Sequence, residues 1–135
     1  MIKSIVVSVR HQGLHDITPS VLQAVREANW HEGLCTLFIQ HTSASLIIQE
    51  NYDPSARRDL EAWLNRLVPE QDSLYTHTLE GSDDMPAHIK AALTSTSLAI
   101  PVANGDLALG AWQGIFLWEH RHQQGQRKVI VHLAA

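Results

Sequence analysis

The sequence predicts an α+β fold, a single domain over residues 1–135 with about three helices packed on a largely antiparallel or mixed sheet. Three observations carry that expectation. Thr18-Pro19 and Asp53-Pro54 each combine a capping residue with a proline suited to a first helical position, and an apolar stripe at helical spacing follows each. Short β-branched runs such as residues 2–9 and RKVIVHL (127–133) read as strands. The last three strand-like runs follow one another without a helical pattern between them, which argues against a purely parallel sheet, because parallel strands need long crossovers.

Residues 2–9 alternate around Ile5, Val7 and Val9 and form the first predicted strand. Thr18 is expected to cap the first helix, with Val21, Leu22, Val25 and Ala28 on its buried stripe and Gly33 just beyond its end. Residues 34–41 (LCTLFIQH) form a strand with Cys35, Leu37, Ile39 and His41 on one parity. Asp53 caps a second helix, Leu60, Trp63, Leu64, Leu67 and Val68 give its apolar face, and Pro69 stops it. Residues 74–79 read as a strand, and Asp84-Met85-Pro86 opens a third helix reaching to about Leu93. SLAIPV (97–102) is a strand, and Asn104-Gly105 is a hairpin signal because both residues tolerate positive φ. A long strand is expected from there to about Arg121, then a turn near Gly125 and the final strand, giving the order β-α-β-β-α-β-α-β-β-β. No repeats, linkers or low-complexity segments interrupt it.

Composition narrows the classes of function. Apolar residues make up 44% and charged residues 18%, the balance of a globular protein, and the net charge of −4 offers no basic field for nucleic acid. No apolar run is long enough for a membrane span, and MIKSIVVSVR has no signal-peptide core, so the expected location is cytoplasmic. Cys35 is the only cysteine, which excludes an intrachain disulfide, and it reads as a packed strand residue. Nine histidines against two tyrosines and two phenylalanines tilt the composition towards metal or proton chemistry.

Three places break the binary pattern. His41 continues the apolar parity of Leu37 and Ile39, so it reads either as a core histidine or as a functional one. Gln113 and Glu119 share the parity of Leu107, Leu109, Ala111, Ile115 and Leu117, and a carboxylate buried there would need a paired cation, unless the strand frays before it. YTHTLEGSDDMPAHIK (75–90) holds His77, a turn at Gly81 and His88 in the first turn of a helix, with Glu80, Asp83 and Asp84 between them. The spacing fits no standard zinc motif, but the turn can fold His88 back towards His77. Asp84 could serve as a helix cap, a role that accounts for one of the three acids. HTSAS (41–45) sets a histidine beside Ser43 and Ser45, yet no GxSxG elbow accompanies it.

HTSASLIIQENYDP, YTHTLEGSDDMPAHIK and NGDLALGAWQGIFLWEHR, in this order and covering nearly the whole chain, resemble the YjbQ-like family, also called secondary thiamine-phosphate synthases. The resemblance implies a compact α+β domain assembled as a homotrimer, with a histidine metal site formed by His41, His77 and His88. Around these it places Asn51, Glu80, Asp83, Asp84, Asn104, Gln113 and Glu119. The implied reaction joins an aminopyrimidine diphosphate to a thiazole phosphate and releases pyrophosphate. Two positions depart from the pattern: Asp106 stands where a basic residue is expected, and Ala111 stands where threonine is common.

Two functions from different classes follow. One is a metal-assisted enzyme on phosphorylated small molecules, with zinc or a similar ion at the histidines and magnesium entering with substrate. Glu80, Asp83 and Glu119 would then be its proton-handling acids, and Asn51, Asp84, Asn104 and Gln113 its substrate contacts. The other is a noncatalytic trimer that binds a metal or small ligand.

Overall fold

The computed structural model describes residues 1–135 as β1 (Ile2–Val9), β2 (Gly13–Asp16), α1 (Thr18–Glu27), β3 (Gly33–Ile39), β4 (Ala44–Glu50), α2 (Pro54–Leu67), α3 (Asp84–Leu93), β5 (Ser97–Ala103), β6 (Asp106–Leu107), β7 (Gln113–Glu119) and β8 (Gly125–Ala134). One sheet has the order β1-β8-β3-β5-β6 and the other β2-β7-β4, and every ladder is antiparallel. The α+β expectation holds.

Alternation in the strands builds the main core. Val129, Val131 and Leu133 of β8 and Cys35, Leu37 and Ile39 of β3 point inward to meet Leu46 of β4, Ile115 and Leu117 of β7, and Val21, Ala24 and Val25 of α1. Cys35 lies in this core, and burial pushes its thiol up to about 11. β7 is covered on both faces. Its other parity, Phe116 and Trp118, forms a second cluster with Leu14, Leu64 and Val68 that seats α2. Leu64 and Val68 carry that contact, while Trp63 and Leu67 turn outward, so the apolar face of α2 is narrower than the sequence pattern implied.

The helix starts follow the sequence with two corrections. Asp53 caps α2 as expected, its side chain accepting from the Ser55 N–H. Thr18 is instead the first residue of α1, and its hydroxyl accepts the Ile115 N–H of β7 at 2.8 Å. Asp84 likewise lies inside α3, with Asp83 at the cap position and no side-chain cap bond, because both carboxylates are engaged elsewhere.

Three strand expectations also change, and one strand was not expected. Residues 74–79 form no strand. Asp72 accepts the Leu74 N–H, the Tyr75 N–H returns to the Asp72 carbonyl, and the Tyr75 hydroxyl donates to Pro69, so the segment opens in a local turn and residues 76–79 continue exposed with no sheet partner. The Asn104-Gly105 turn forms with φ of 53° and 74°, but the long strand after it breaks. Gln113 Oε1 accepts the Gly110 N–H at 2.7 Å, the Gln113 N–H returns to Gly110, and the chain crosses to the other sheet, where β7 begins. β3 ends at Ile39, two residues before His41. The short β2, which gave no alternating signal, pairs with the end of β7.

Candidate functional site

Three elements bring the candidate site together at one end of the three-stranded sheet. The 69–83 connection carries His77, the first turns of α3 carry Asp84 and His88, and the segment after β7 carries Arg121. Asp84 and His88 are four residues apart on α3 and therefore share a face. The Asp84 carboxylate, 3% exposed, is the centre. Its Oδ2 lies 2.6 Å from His77 Nε2 and 3.1 Å from His88 Nε2, and its Oδ1 lies 3.2 Å from Arg121 Nη1. The two imidazole centroids are 5.5 Å apart. One ligand atom from each of His77, Asp84 and His88 falls within 4.8 Å of the others, a separation that could hold a metal ion. Burial acts to raise the Asp84 carboxyl, but the His77 hydrogen bond and the nearby His88 and Arg121 charges outweigh it and hold it below the usual carboxylate range.

The Nδ1 of His88 faces the Thr42 carbonyl oxygen at 3.1 Å. Both its ring nitrogens therefore point at oxygens, and a carbonyl can only accept. With the proton on Nδ1, a neutral His88 turns a lone pair towards Asp84. A proton or a metal cation on that side makes the contact favourable, so these residues fit a divalent cation.

Arg121 organises the acids. Its Nη2 donates to the Glu80 carbonyl at 2.7 Å and to Asp83 Oδ1 at 3.1 Å, while Asp83 Oδ2 accepts the His122 N–H at 2.8 Å. Burial raises the Asp83 carboxyl, and the His122 and Arg121 bonds reverse this to a net lowering. The Glu80 carboxylate is the freest of the three acids, 3.8 Å from His77 Nε2. A cavity of about 220 Å³ adjoins His77, lined among others by Gln71, Tyr75, Ser82 and Met85.

Behind the cluster lies a sealed polar layer. Glu119 is fully buried, with Oε1 accepting from Arg127 Nε at 2.6 Å and Oε2 accepting the Arg121 N–H at 3.1 Å. Arg127 is thus the cation that a carboxylate on this buried parity needs. Ser45 Oγ and His120 Nε2 are 2.9 Å apart, both buried. Burial, helped by the Lys90 charge, lowers His120 from 6.5 to about 3, so it is neutral.

His41 stands beside this layer, outside the three-residue group. Its Nδ1 accepts the Ser43 N–H at 3.1 Å, which leaves Nε2 to carry the ring proton. Burial, and then the Arg127 charge, lowers its pKa, so the ring is neutral near pH 7. Asn51, Gln113 and Asn104 lie elsewhere. Gln113 pairs with Glu50 at the opposite end of β7, six residues and about 20 Å from Glu119, and Asn51 follows directly. Asn104 occupies the β5–β6 turn, beyond the end of β3 remote from His41. Arg121, Arg127, His120 and Lys90 escaped sequence reasoning. The dense EHRH run at 119–122 was the available signal, since a carboxylate on a buried parity needs a nearby cation.

Comparison with known proteins gives the family and the fold. The family described as UPF0047 protein YjbQ-like matches residues 3–135. A UPF0047 protein from Synechocystis sp. is 51% identical over 130 residues, covering 96% of this chain and 88% of that one. The YjbQ protein of Escherichia coli O157:H7 is 42% identical over 132 residues, covering 97% and 95%. The crystal structure of an uncharacterized YjbQ/UPF0047 family protein from Clostridium acetobutylicum superimposes with a TM-score of 0.85 at 37% identity, covering 99% of each chain. A match that runs from the first strand to the last, together with the shared fold, places the chain in the YjbQ-like UPF0047 family.

Proposed function

We propose that the chain is a metal-dependent enzyme acting on phosphorylated small molecules, of the secondary thiamine-phosphate synthase type. In that reaction a thiazole nitrogen forms the new bond to the pyrimidine methylene carbon, and pyrophosphate leaves with the electron pair of the broken C–O bond. The observation that carries the reading is the convergence of His77 Nε2 and His88 Nε2 on one Asp84 oxygen, with the far nitrogen of His88 already held by Thr42. Two imidazoles and a carboxylate suit zinc or a similar transition metal. Such an ion, when bound, would compensate charge on phosphate oxygens and on the departing pyrophosphate.

The chain's own residues supply the rest. Thr42 and Arg121 orient His88 and Asp84 before any ligand arrives. His41, neutral with its proton on Nε2, offers a hydrogen bond to an anionic oxygen. Glu80, least committed of the acids, is the best placed to meet a magnesium ion carried by the diphosphate. Asp83 and Glu119 are held by Arg121 and Arg127 and act by positioning those cations.

The same proposal includes a homotrimer. Asn51 and Gln113 lie about 20 Å from the histidine end of their own sheet, so they serve a shared pocket only across a contact between chains. Beside them Tyr52 and Trp112 pack with their rings tilted and centroids 4.7 Å apart and expose large ring surfaces, as aromatic residues of interface cores do in a free subunit. No helix is long and apolar enough to cross a membrane.

A noncatalytic metal- or ligand-binding trimer keeps one observation in its favour. Where the resemblance leads one to expect a basic residue, Asp106 pairs with Arg26 at 3.2 Å and adds no free cation for a phosphate. Metal analysis of untagged protein, with thiamine-phosphate formation measured on wild type and His77→Ala and His88→Ala variants that still assemble, separates the readings. Loss of metal together with activity supports the enzyme. Metal binding without turnover favours the binding module, and full activity after metal loss removes the metal from the chemistry.

A further inference from the structure

Lys90 is an unusual residue to find buried. It is 3% exposed, no carboxylate lies within ion-pair distance, and its one hydrogen bond runs from Nζ to Asn65 Oδ1 of α2 at 2.5 Å. That contact begins a directional chain. Asn65 Nδ2 donates to Gln12 Oε1 at 3.0 Å, and Gln12 Nε2 donates to the His120 carbonyl at 3.0 Å. Each amide accepts at oxygen and donates at nitrogen, so the chain has one polarity, with the ammonium as terminal donor and a backbone carbonyl as terminal acceptor.

The two ends of this chain hold the two supports of Asp84. Lys90 lies six residues beyond Asp84 on α3, and two residues past His88 its side chain leaves the opposite side of the helix. His120 immediately precedes Arg121, whose guanidinium binds Asp84 and Asp83. The circuit from Asp84 along α3 to Lys90, through Asn65 and Gln12 to His120, and through Arg121 back to Asp84 is therefore closed. We infer that Lys90, Asn65 and Gln12 are positioning residues that fix the distance between α3 and Arg121, and with it the orientation of the Asp84 carboxylate towards His77 and His88. None of them touches the candidate ligand atoms. The metal readout rests on the function proposed above, whereas the Arg121 readout does not.

The test is a double-mutant cycle with Lys90→Met and Gln12→Leu, each kept only where the melt is cooperative and measured well below its midpoint. Zinc affinity is read by competition with a chromophoric chelator. The Arg121 side-chain Nε–H is followed by NMR in metal-free protein, with Arg121→Lys assigning the signal. Each single variant is expected to weaken zinc roughly tenfold, in the range seen when groups that orient ligands are lost. Each is also expected to speed Arg121 Nε–H exchange severalfold. The double variant should be no worse than either single one, because a chain is broken only once. Unchanged Arg121 exchange in folded single variants overturns the inference, as do losses that simply add. If the wild type takes up no zinc while the Arg121 signal responds as expected, the metal reading fails and the positioning role stands.

Discussion

His120 and the His77–His88 pair occupy the same end of the molecule and have opposite fates. His120 is sealed, its Nε2 meets only the Ser45 hydroxyl, its Nδ1 has no partner, and burial holds it neutral down to about pH 3. His77 and His88 keep 44% and 32% of their side chains exposed and share one carboxylate. The acids divide in the same way. Glu119 spends its charge on Arg127 inside the core, whereas Asp84 meets Arg121 with one oxygen and offers the other to two imidazoles. Histidine and carboxylate content does not make a site. An imidazole becomes available for metal or proton chemistry when a carboxylate orients it and solvent can reach it, and it becomes scaffolding when it is sealed beside a hydroxyl.

The sharpest way to break this contrast is to compare the two carboxylates. Glu119→Leu leaves Arg127 buried without its partner and is expected to cost about 3–5 kcal/mol of stability, read by urea unfolding. Glu119→Leu with Arg127→Met should recover most of that loss, because the pair is then replaced by apolar groups. Asp84 is nearly as buried, but its imidazole partners reach solvent and Arg121 keeps Asp83 as a second partner, so Asp84→Asn strands no buried charge and should cost no more than about 2 kcal/mol. Its main effect should fall on zinc, weakened by about 100-fold, equivalent to about 2.7 kcal/mol. Equal stability losses for Asp84→Asn and Glu119→Leu would erase the distinction between an open and a sealed layer.

Acid provides the next largest effect. The folded pKa of His120 lies below its unfolded value, from 6.5 to about 3, so between those limits the unfolded chain binds more protons. Stability therefore rises with pH across that window and falls as pH drops through it. Two pH units below the unfolded pKa correspond to about 2–3 kcal/mol. His120→Gln, which cannot titrate, should flatten the unfolding free energy between pH 6.5 and 4.5 by that amount. A slope that survives the substitution assigns the acid sensitivity to other groups.

Much of this contrast was legible in the sequence, and what was missed has a common cause. The helices at Asp53-Pro54 and Asp84-Met85-Pro86 and the Asn104-Gly105 turn carry their own local chemistry, and all three formed. The parity of Glu119 left open a buried acid in need of a cation or a solvated one on a fraying strand end, and deciding for burial and naming Arg127 required the return of β8, eight residues later. Residues 74–79 looked like a strand because Tyr75 and Thr76 suit one, yet Asp72 turned the chain back on itself at Leu74 and Tyr75. Thr18 and Asp84 had capping chemistry that tertiary partners claimed first. His77, Asp84 and His88 came together as the glycine turn permitted, whereas Asn51, Asn104 and Gln113, grouped with them by resemblance, sit at far ends of strands because a strand separates its two ends by its full length.

The smallest expected effect isolates the sealed histidine from the open pair. A neutral His120 has one ring proton. If Nε2 accepts from the Ser45 hydroxyl, Nδ1–H is buried without an acceptor, and if Nε2–H donates to Ser45, the lone pair on Nδ1 is buried without a donor. Ser45 therefore satisfies the only ring nitrogen of His120 that has a partner. Ser45→Ala would leave both unsatisfied at the cost of a buried neutral hydrogen bond, about 1–2 kcal/mol. The small cavity left by the hydroxyl adds little. Because Ser45 touches the His120 ring and not the carbonyl that Gln12 holds, zinc affinity should stay within about twofold of wild type. His88→Gln should do the reverse, with stability within about 0.5 kcal/mol at its partly exposed position and zinc affinity sharply reduced. Thermal melts and zinc competition on these two variants test the contrast at single-residue resolution, and a Ser45→Ala protein that loses zinc would show that the sealed layer also sets the ligand geometry.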